Sequence, residues 1–157
     1  MTQRTVLSTY CLITTILCNL LLLFLIFFNN PPLYVQLVLA GLLAAMHVAG
    51  LFYMPAGISA DKYAIYIRRI LKTKAIPMSD VKSVCLCQPT MGAKRICASG
   101  GFLGYWGWFH ERDLGKYFAY YGRASDCFLV ELKSGRKYML GCQNPQKMVE
   151  YINKNIM

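Results

Sequence analysis

The sequence predicts an α+β membrane protein, in which a helical hairpin crosses the membrane and a small β-rich domain follows it. Two uninterrupted apolar runs, residues 5–28 and 33–53, stand back to back near the start of the chain. After residue 53 the pattern changes to short segments rich in β-branched and aromatic residues, which is typical of strands. An amphipathic segment near the end of the sequence predicts one further helix.

Each apolar run is long enough to cross a bilayer. At about 1.5 Å of rise per residue, both runs can span the roughly 30 Å hydrocarbon layer. No charged side chain occurs between Arg4 and Asp61, and only residues 29–32, Asn-Asn-Pro-Pro, separate the runs. We predict a transmembrane hairpin rather than a cleavable signal, because the first run is too long for a signal core and no small-residue cleavage site closes it.

Basic residues on the flanks of the hairpin predict its orientation. Arg4 precedes the first run, several Lys and Arg residues follow the second run closely, and the connection carries no charge. Both termini are therefore expected to be cytoplasmic in a multi-pass protein of the cell (inner) membrane. Residues 1–54 are predicted to form the membrane domain, and residues 55–157 the cytoplasmic domain.

The net charge of +10, from 17 basic and 7 acidic residues, lies almost entirely after the hairpin. A basic domain beside an anionic leaflet is attracted to membrane lipids, by roughly 1 kcal/mol per Lys or Arg near the surface. Membrane lipids are therefore the expected partners, and nucleic acid is not needed to explain the charge. The positive-inside bias alone produces the same charge, and in that case no specific ligand is implied.

The seven cysteines are predicted to act as small apolar residues. The expected compartment is reducing, the number is odd, and two cysteines lie within the first run. Cys85 and Cys87 are two residues apart, but no second Cys or His pair completes a zinc pattern. We expect neither a metal nor a cofactor.

Gly41, Ala45 and Ala49 recur every four residues in the second run and form one stripe of small residues. Small residues let membrane helices approach closely, so this stripe is predicted to serve helix packing. The short connection favours the first helix of the same chain as the partner, but another copy or a larger protein fits the same pattern. His47 has no acidic partner in either run and is interpreted as structural or interfacial.

The second domain is predicted to consist of short strands closed by a helix. Ser134 and Gly135 predict a tight hairpin between the last two strands. Asn144 is suited to cap a helix that begins at Pro145 and carries one apolar face. Six or seven antiparallel strands with such a helix predict a small barrel or curled sheet. The clearest strand segments are residues 63–69, 72–76, 84–88, 116–121, 127–133 and 137–142.

Five motifs stand out in this domain: ISADKYAIYIR at 58–68, IPMSDVKSV at 76–84, GGFLGYWG at 100–107, LGKY at 114–117 and the final Asn144-Pro145 helix. Together they resemble the bacterial pleckstrin-homology (PH)-like membrane proteins. The resemblance covers most of residues 58–156 and implies a seven-stranded, two-sheet, antiparallel barrel capped by the C-terminal helix. It implies no enzyme.

Eukaryotic relatives of this fold often bind phosphoinositides through basic residues on the first strands, and the pattern Arg69-x-x-Lys72-x-Lys74 is similar. Here the last position is Lys, and the turn between the strands lacks glycine and is short for a phosphate pocket. Diffuse attraction to lipid headgroups is therefore favoured over a specific pocket. The predicted lipid-surface residues are Arg68, Arg69, Lys72 and Lys74.

The aromatic and glycine-rich segment at residues 100–112 is interpreted as a partner-binding loop, through Phe102, Tyr105, Trp106 and Trp108. It is not a nucleotide loop, because aromatic residues fill the gaps between its glycines and no Lys-Ser or Lys-Thr pair follows. Packing against the core and insertion into the membrane interface are the alternatives for the same side chains.

The sequence offers no catalytic residues. His47 and His110 are the only histidines, and the acidic residues are scattered singly apart from Glu111 and Asp113. We therefore predict a non-enzymatic membrane protein whose cytoplasmic domain mediates protein or lipid-surface interaction at the inner leaflet, with a protein partner or a second copy as a further possibility. The alternative is an accessory subunit of a transporter or membrane enzyme that uses the hairpin as its contact surface.

Overall fold

The computed structural model describes residues 1–29, 31–90 and 92–156. Two apolar helices, α1 (Thr9–Phe27) and α2 (Leu33–Tyr53), are both long enough to cross a membrane. The Ser8 hydroxyl caps α1 by accepting a hydrogen bond from the Cys11 N–H at 3.2 Å. Only 6% of the most apolar window of each helix is buried within the protein, so neither is the core helix of a globular domain.

The first sheet has four strands in the order β1-β2-β3-β4, and each neighbouring pair is antiparallel. Strand β1 precedes the helices in sequence, whereas β2 follows α2 directly. The sheet therefore joins the chain segments on both sides of the hairpin. Its strands are β1 (Thr2–Arg4), β2 (Pro55–Ala60), β3 (Ala64–Arg69) and β4 (Thr73–Pro77).

The second sheet has six strands in the order β5-β9-β10-β8-β7-β6. Strands β8 and β10 are parallel, and the other neighbouring pairs are antiparallel. The central strands β8, β9 and β10 are the most buried. The strands are β5 (Val81–Leu86), β6 (Lys94–Gly101), β7 (Gly104–Glu111), β8 (Gly115–Tyr121), β9 (Cys127–Leu132) and β10 (Lys137–Gly141).

The PH-like arrangement of two sheets and a C-terminal helix is confirmed, but the sheets are not closed into a barrel. Strand β4 ends at Pro77, whose nitrogen cannot donate to a strand ladder. The 3₁₀ turn Met78–Asp80 then carries the chain into the second sheet. Within the described residues no strand pairs across the two sheets, so the domain is a sandwich.

The predicted loop at residues 100–112 belongs instead to a β-hairpin, β6–β7. Glycine weakens a strand pattern, which is why the sequence pointed to a loop. At Gly107 the glycine has a structural reason, because an added Cβ would lie 2.4 Å from the Cys97 carbonyl oxygen on the neighbouring strand. The close approach of the two strands therefore requires glycine here.

Strand β1 was not predicted. This strand also forms hydrogen bonds with the segment that leads into the C-terminal helix. The Asn144 N–H donates to Gln3 Oε1 at 2.6 Å, and the Gln143 N–H donates to the Arg4 carbonyl at 3.0 Å. The Thr5 hydroxyl donates to the Gly141 carbonyl at 2.8 Å. The segment before α1 is thus part of the same folded domain that follows α2.

Helix α3 (Pro145–Asn153) covers the main core and confirms the predicted capped helix. The Asn144 side chain accepts a hydrogen bond from the Lys147 N–H at 3.2 Å. The apolar face of α3 packs on β2, β5 and β9. Burial of each large apolar side chain in this core contributes roughly 1.5–3 kcal/mol. The core includes Ile58, Ile65, Ile67, Phe128, Val130, Leu140, Met148 and Ile152.

Candidate membrane-facing site

Two hairpin tips of the domain lie beside the apolar helices. We call residues 68–74, between β3 and β4, the basic tip, and residues 100–108, at the β6–β7 turn, the aromatic tip. The basic tip lies at the end of α2 because β2 leaves that helix directly and β3 returns antiparallel to it, which pairs Arg69 with Pro55. The Leu71 N–H donates to the Leu51 carbonyl of α2 at 3.3 Å.

The basic tip carries two exposed apolar side chains between its basic residues. Ile70 is 49% exposed and Leu71 is 58% exposed. Arg68 and Lys72, which flank them, are also exposed. The tip therefore presents apolar and cationic groups together beside the end of a helix that can cross a membrane.

The other two predicted lipid-surface residues are engaged within the protein. The Arg69 guanidinium lies 6.0 Å from the Tyr53 ring and 5.7 Å from the Tyr120 ring, and its Nε donates to the Lys72 carbonyl at 3.1 Å. The Lys74 ammonium donates to the Tyr138 hydroxyl at 2.7 Å. Cation–π and hydrogen-bond contacts of this kind fix the tip in place, and they leave Arg68 and Lys72 as its outward-facing charges.

The aromatic tip is wedged against both apolar helices. Phe102 is only 9% exposed, and its ring meets the His47 ring of α2 edge to face at 5.6 Å. The Leu103 N–H donates to the Thr15 hydroxyl of α1 at 2.9 Å. The Leu103 side chain fills the space over Gly50 of α2, where an added Cβ would lie 2.3 Å from Leu103 Cδ1.

Leu103 adopts a left-handed backbone conformation with a φ of 54°. This region is uncommon for any residue other than glycine, and a strained residue persists only where its surroundings hold it. Here the contacts with Thr15 and Gly50 supply that support. The turn is therefore shaped to fit the helices.

The remaining aromatic side chains predicted to bind a partner also have partners within the chain. Trp106 stacks on Tyr53 at 5.4 Å, and its indole N–H donates to the Phe102 carbonyl at 3.2 Å. Trp108 meets Phe118 edge to face at 5.1 Å. Tyr105 stacks on Tyr121 at 4.8 Å, and burial raises the pKa of the Tyr105 hydroxyl. A role for these residues in binding another protein stays a prediction.

The stripe of small residues is open to its surroundings at two of its three positions. A Cβ added at Gly41 would meet nothing within 4 Å, and Ala45 is exposed. Ala49, half-buried, lies nearer the aromatic tip. Packing of the stripe against the first helix of the same chain, against another copy or against a larger protein therefore stays a prediction.

The one buried carboxylate of the described residues, Glu111, has a structural role. It accepts hydrogen bonds from the Tyr117 hydroxyl, from the Thr90 N–H at 3.1 Å and from the Thr90 hydroxyl at 2.8 Å. Burial and the bond to Glu111 raise the pKa of Tyr117. These bonds tie the segment after β5 to β7. Across residues 1–29, 31–90 and 92–156, no group of His, Cys, Asp or Glu could hold a metal ion.

Sequence reasoning missed Thr15, Gly50 and the N-terminal strand as parts of this site. A hydroxyl in an apolar run, such as Thr15, was one available signal, since buried hydroxyls require partners. No sequence feature identified Leu103 as the residue whose backbone N–H donates to this hydroxyl.

Residues 56–156 match the family model described as "Bacterial PH domain". The match covers more than half of the chain, and the protein therefore belongs to the bacterial PH domain family. Searches of curated proteins and of solved structures each found no match. PH domains are in general interaction modules that bind lipids or proteins, and together with the two apolar helices this fits a membrane-associated protein.

Proposed function

We propose that this is a non-enzymatic integral membrane protein whose cytoplasmic PH-like domain mediates lipid-surface or protein interaction at the inner leaflet. The observation that carries the proposal is the position of the basic tip. Its exposed Ile70 and Leu71 lie between Arg68 and Lys72, and its backbone is bonded to the end of α2.

The orientation in this proposal is supported by the N-terminal strand. Because β1 pairs with β2, the segments that enter α1 and leave α2 belong to one sheet. This pairing supports a hairpin whose two ends lie on the same side of a bilayer. The basic residues of that side make it the cytoplasmic side under the positive-inside bias.

The proposed contact combines two attractions. Apolar side chains at the tip enter the headgroup region, while the cations beside them meet anionic lipid, at roughly 1 kcal/mol for each Lys or Arg near the surface. Arg69 and Lys74 contribute by holding the tip through Tyr53, Tyr120 and Tyr138.

The test uses the full chain in lipid nanodiscs and measures amide hydrogen exchange. With phosphatidylglycerol in the disc, the amides of residues 69–73 are expected to exchange more slowly than in phosphatidylcholine alone. The double variant R68E/K72E is expected to remove this difference, since it reverses the two exposed charges of the tip.

The matched control is K133E/R136E, which makes the same charge change at the β9–β10 turn. Both residues are exposed, and Lys133 lies beside Lys62 and Tyr63 at the β2–β3 turn, the end of the sheet away from α2. This control should behave as the wild type. Equal exchange in both lipids for the wild-type protein would rule out the lipid half of the proposal.

A second candidate function is that of an accessory subunit whose hairpin contacts a larger membrane protein. The open space at Gly41 and the exposure of Ala45 favour it, because a small-residue face on a membrane helix suits close packing by another helix. Gly41→Leu is then expected to break a detergent-stable complex. A wild-type preparation that is monomeric and free of copurifying protein argues against this function.

A further inference from the structure

A groove of about 650 Å³ opens between the two apolar helices and strand β6. Tyr10 and Thr14 of α1 line one side, and Ala45 and Ala49 of α2 line another. Trp106 of the aromatic tip also borders it. The volume is in the range of small-ligand sites, and the walls are mainly apolar.

The groove is short along both helices. The named α1 residues are four apart, as are those of α2, so the groove follows each helix for about one turn, roughly 5.4 Å. A partner helix that crosses the membrane packs along several turns. The shape therefore suits a narrow apolar chain better than a second helix.

A cationic side chain lies at the border of this apolar groove. Arg95 of β6 is exposed and lies over the Gly100 backbone, where an added Cβ would be 2.2 Å from the guanidinium carbon. Within the described ranges the two salt bridges join Lys82 to Glu131 and Arg123 to Asp126, so Arg95 has no carboxylate partner there. A guanidinium matches the two oxygens of a phosphate with a bidentate fork.

We propose that this groove binds one anionic phospholipid of the surrounding leaflet, with its phosphate at Arg95 and one acyl chain against Ala45 and Ala49. The depth of the groove in the bilayer fits this occupant. Its helix walls lie in the first turns of α1 and the last three turns of α2, next to the folded domain, which is the level of the lipid headgroups and the adjoining acyl chains. The site shares no residue with the basic tip, so the two proposals stand or fall separately.

Trp106 provides a direct reporter of the groove. The chain has two tryptophans, and Trp108→Phe keeps an aromatic ring against Phe118 while leaving Trp106 as the only indole. We would place this full-length variant in phosphatidylcholine nanodiscs and add brominated phosphatidylglycerol or brominated phosphatidylcholine in increasing proportion. Bromine on an acyl chain in the groove quenches the Trp106 fluorescence.

Phosphatidylglycerol is expected to quench at about one-tenth of the proportion that phosphatidylcholine requires. Both lipids carry a phosphate, but the choline ammonium cancels its charge, so only phosphatidylglycerol brings a net negative charge to Arg95. Arg95→Gln should abolish that preference. Lys94→Gln, which removes the same charge from the neighbouring residue outside the groove lining, should retain it. Ala45→Leu should reduce quenching by filling the groove, whereas Gly41→Leu, one turn away, should not.

The preference must also survive R68E/K72E, because the basic tip is a different surface. Equal quenching by the two brominated lipids in the parent protein overturns the proposal, as does an unchanged preference in Arg95→Gln. An equal loss of preference in Arg95→Gln and Lys94→Gln overturns it too, since that result indicates general surface charge.

Discussion

The two hairpin tips beside the helices are held in opposite ways. The aromatic tip is enclosed by the protein itself, with Phe102 against His47 and Leu103 between Thr15 and Gly50. The basic tip contacts α2 through the backbone hydrogen bond from Leu71 and through Arg69 beside the Tyr53 ring, and it leaves the Ile70 and Leu71 side chains exposed. One tip therefore fixes the domain to its helices, and the other remains available to a surface or a partner.

This difference reverses what side-chain chemistry alone suggests. Large aromatic residues at a turn are common in binding surfaces, yet in this protein they pack against other residues of the same chain. In the basic tip, by contrast, the side chains of Arg68, Ile70, Leu71 and Lys72 are exposed. Contact with the protein's own helices, rather than residue type, decides which tip is free.

The largest expected effect is a difference in stability between alanine substitutions in the two tips. Phe102→Ala removes a buried ring and should lower the free energy of unfolding by about 3 kcal/mol. Ile70→Ala removes a half-exposed side chain and should change it by no more than about 0.5 kcal/mol. Denaturant unfolding of the full chain in mild detergent measures both. Similar losses for the two variants would show that the aromatic tip is not the structural one.

A second pair of variants tests the fit of the aromatic tip on α2. Gly41→Ala should stabilise the protein by about 0.5–1 kcal/mol, because alanine favours a helix and nothing lies within 4 Å of the new Cβ. Gly50→Ala should instead destabilise it by about 1 kcal/mol, since the new Cβ displaces Leu103.

The same unfolding measurement in a Leu103→Ala background provides the control. With the Leu103 side chain removed, Gly50→Ala should no longer be destabilising. If Gly50→Ala costs the same in both backgrounds, its effect does not arise from the tip.

Much of this fold could be predicted from local pattern. The two apolar runs, the strands around residues 127–142 and the cap at Asn144 each carry a complete signal within a few neighbouring residues. Strand β1 could not be predicted, because its three residues form a strand only through pairing with β2, more than fifty positions away. Strands β6 and β7 were hidden by glycines whose purpose, as at Gly107, is the approach of a neighbouring strand.

The candidate site was predictable only as a set of residue types. The four basic residues of the tip are evident in the sequence, but Arg69 and Lys74 are engaged by Tyr120 and Tyr138, which lie far along the chain. Likewise, the aromatic tip was recognised as unusual, but its location against Thr15 depends on how the second sheet meets α1. Tertiary contacts decide which of the predicted residues face outward.

A smaller effect is expected at the hydrogen bond between the aromatic tip and α1. Thr15→Val removes the acceptor of the Leu103 N–H and should lower the free energy of unfolding by about 1 kcal/mol. It should also speed amide exchange at Leu103. Thr14→Val makes the same change at the preceding residue and serves as the matched control, in which the Leu103 amide should stay protected. Unchanged protection in Thr15→Val would mean that the tip is held by side-chain packing alone.

The smallest expected effect concerns a third tip, the β2–β3 turn, which touches neither helix. The Asp61 carboxylate accepts hydrogen bonds from the Ala64 N–H at 2.7 Å and the Tyr63 N–H at 2.8 Å, and these bonds lower its pKa below the ordinary value of 3.8. Because the folded-state pKa is lowered, the stabilisation is present above pH 3.8 and is lost as the pH falls through the folded-state value.

Thermal unfolding of the wild type and of Asp61→Ala, measured from pH 6 downwards in the same detergent, should therefore show a small gap in Tm that narrows as the carboxylate is protonated. A gap for Asp61→Ala that stays constant down to the acid limit would indicate that the ionised carboxylate does not stabilise the turn.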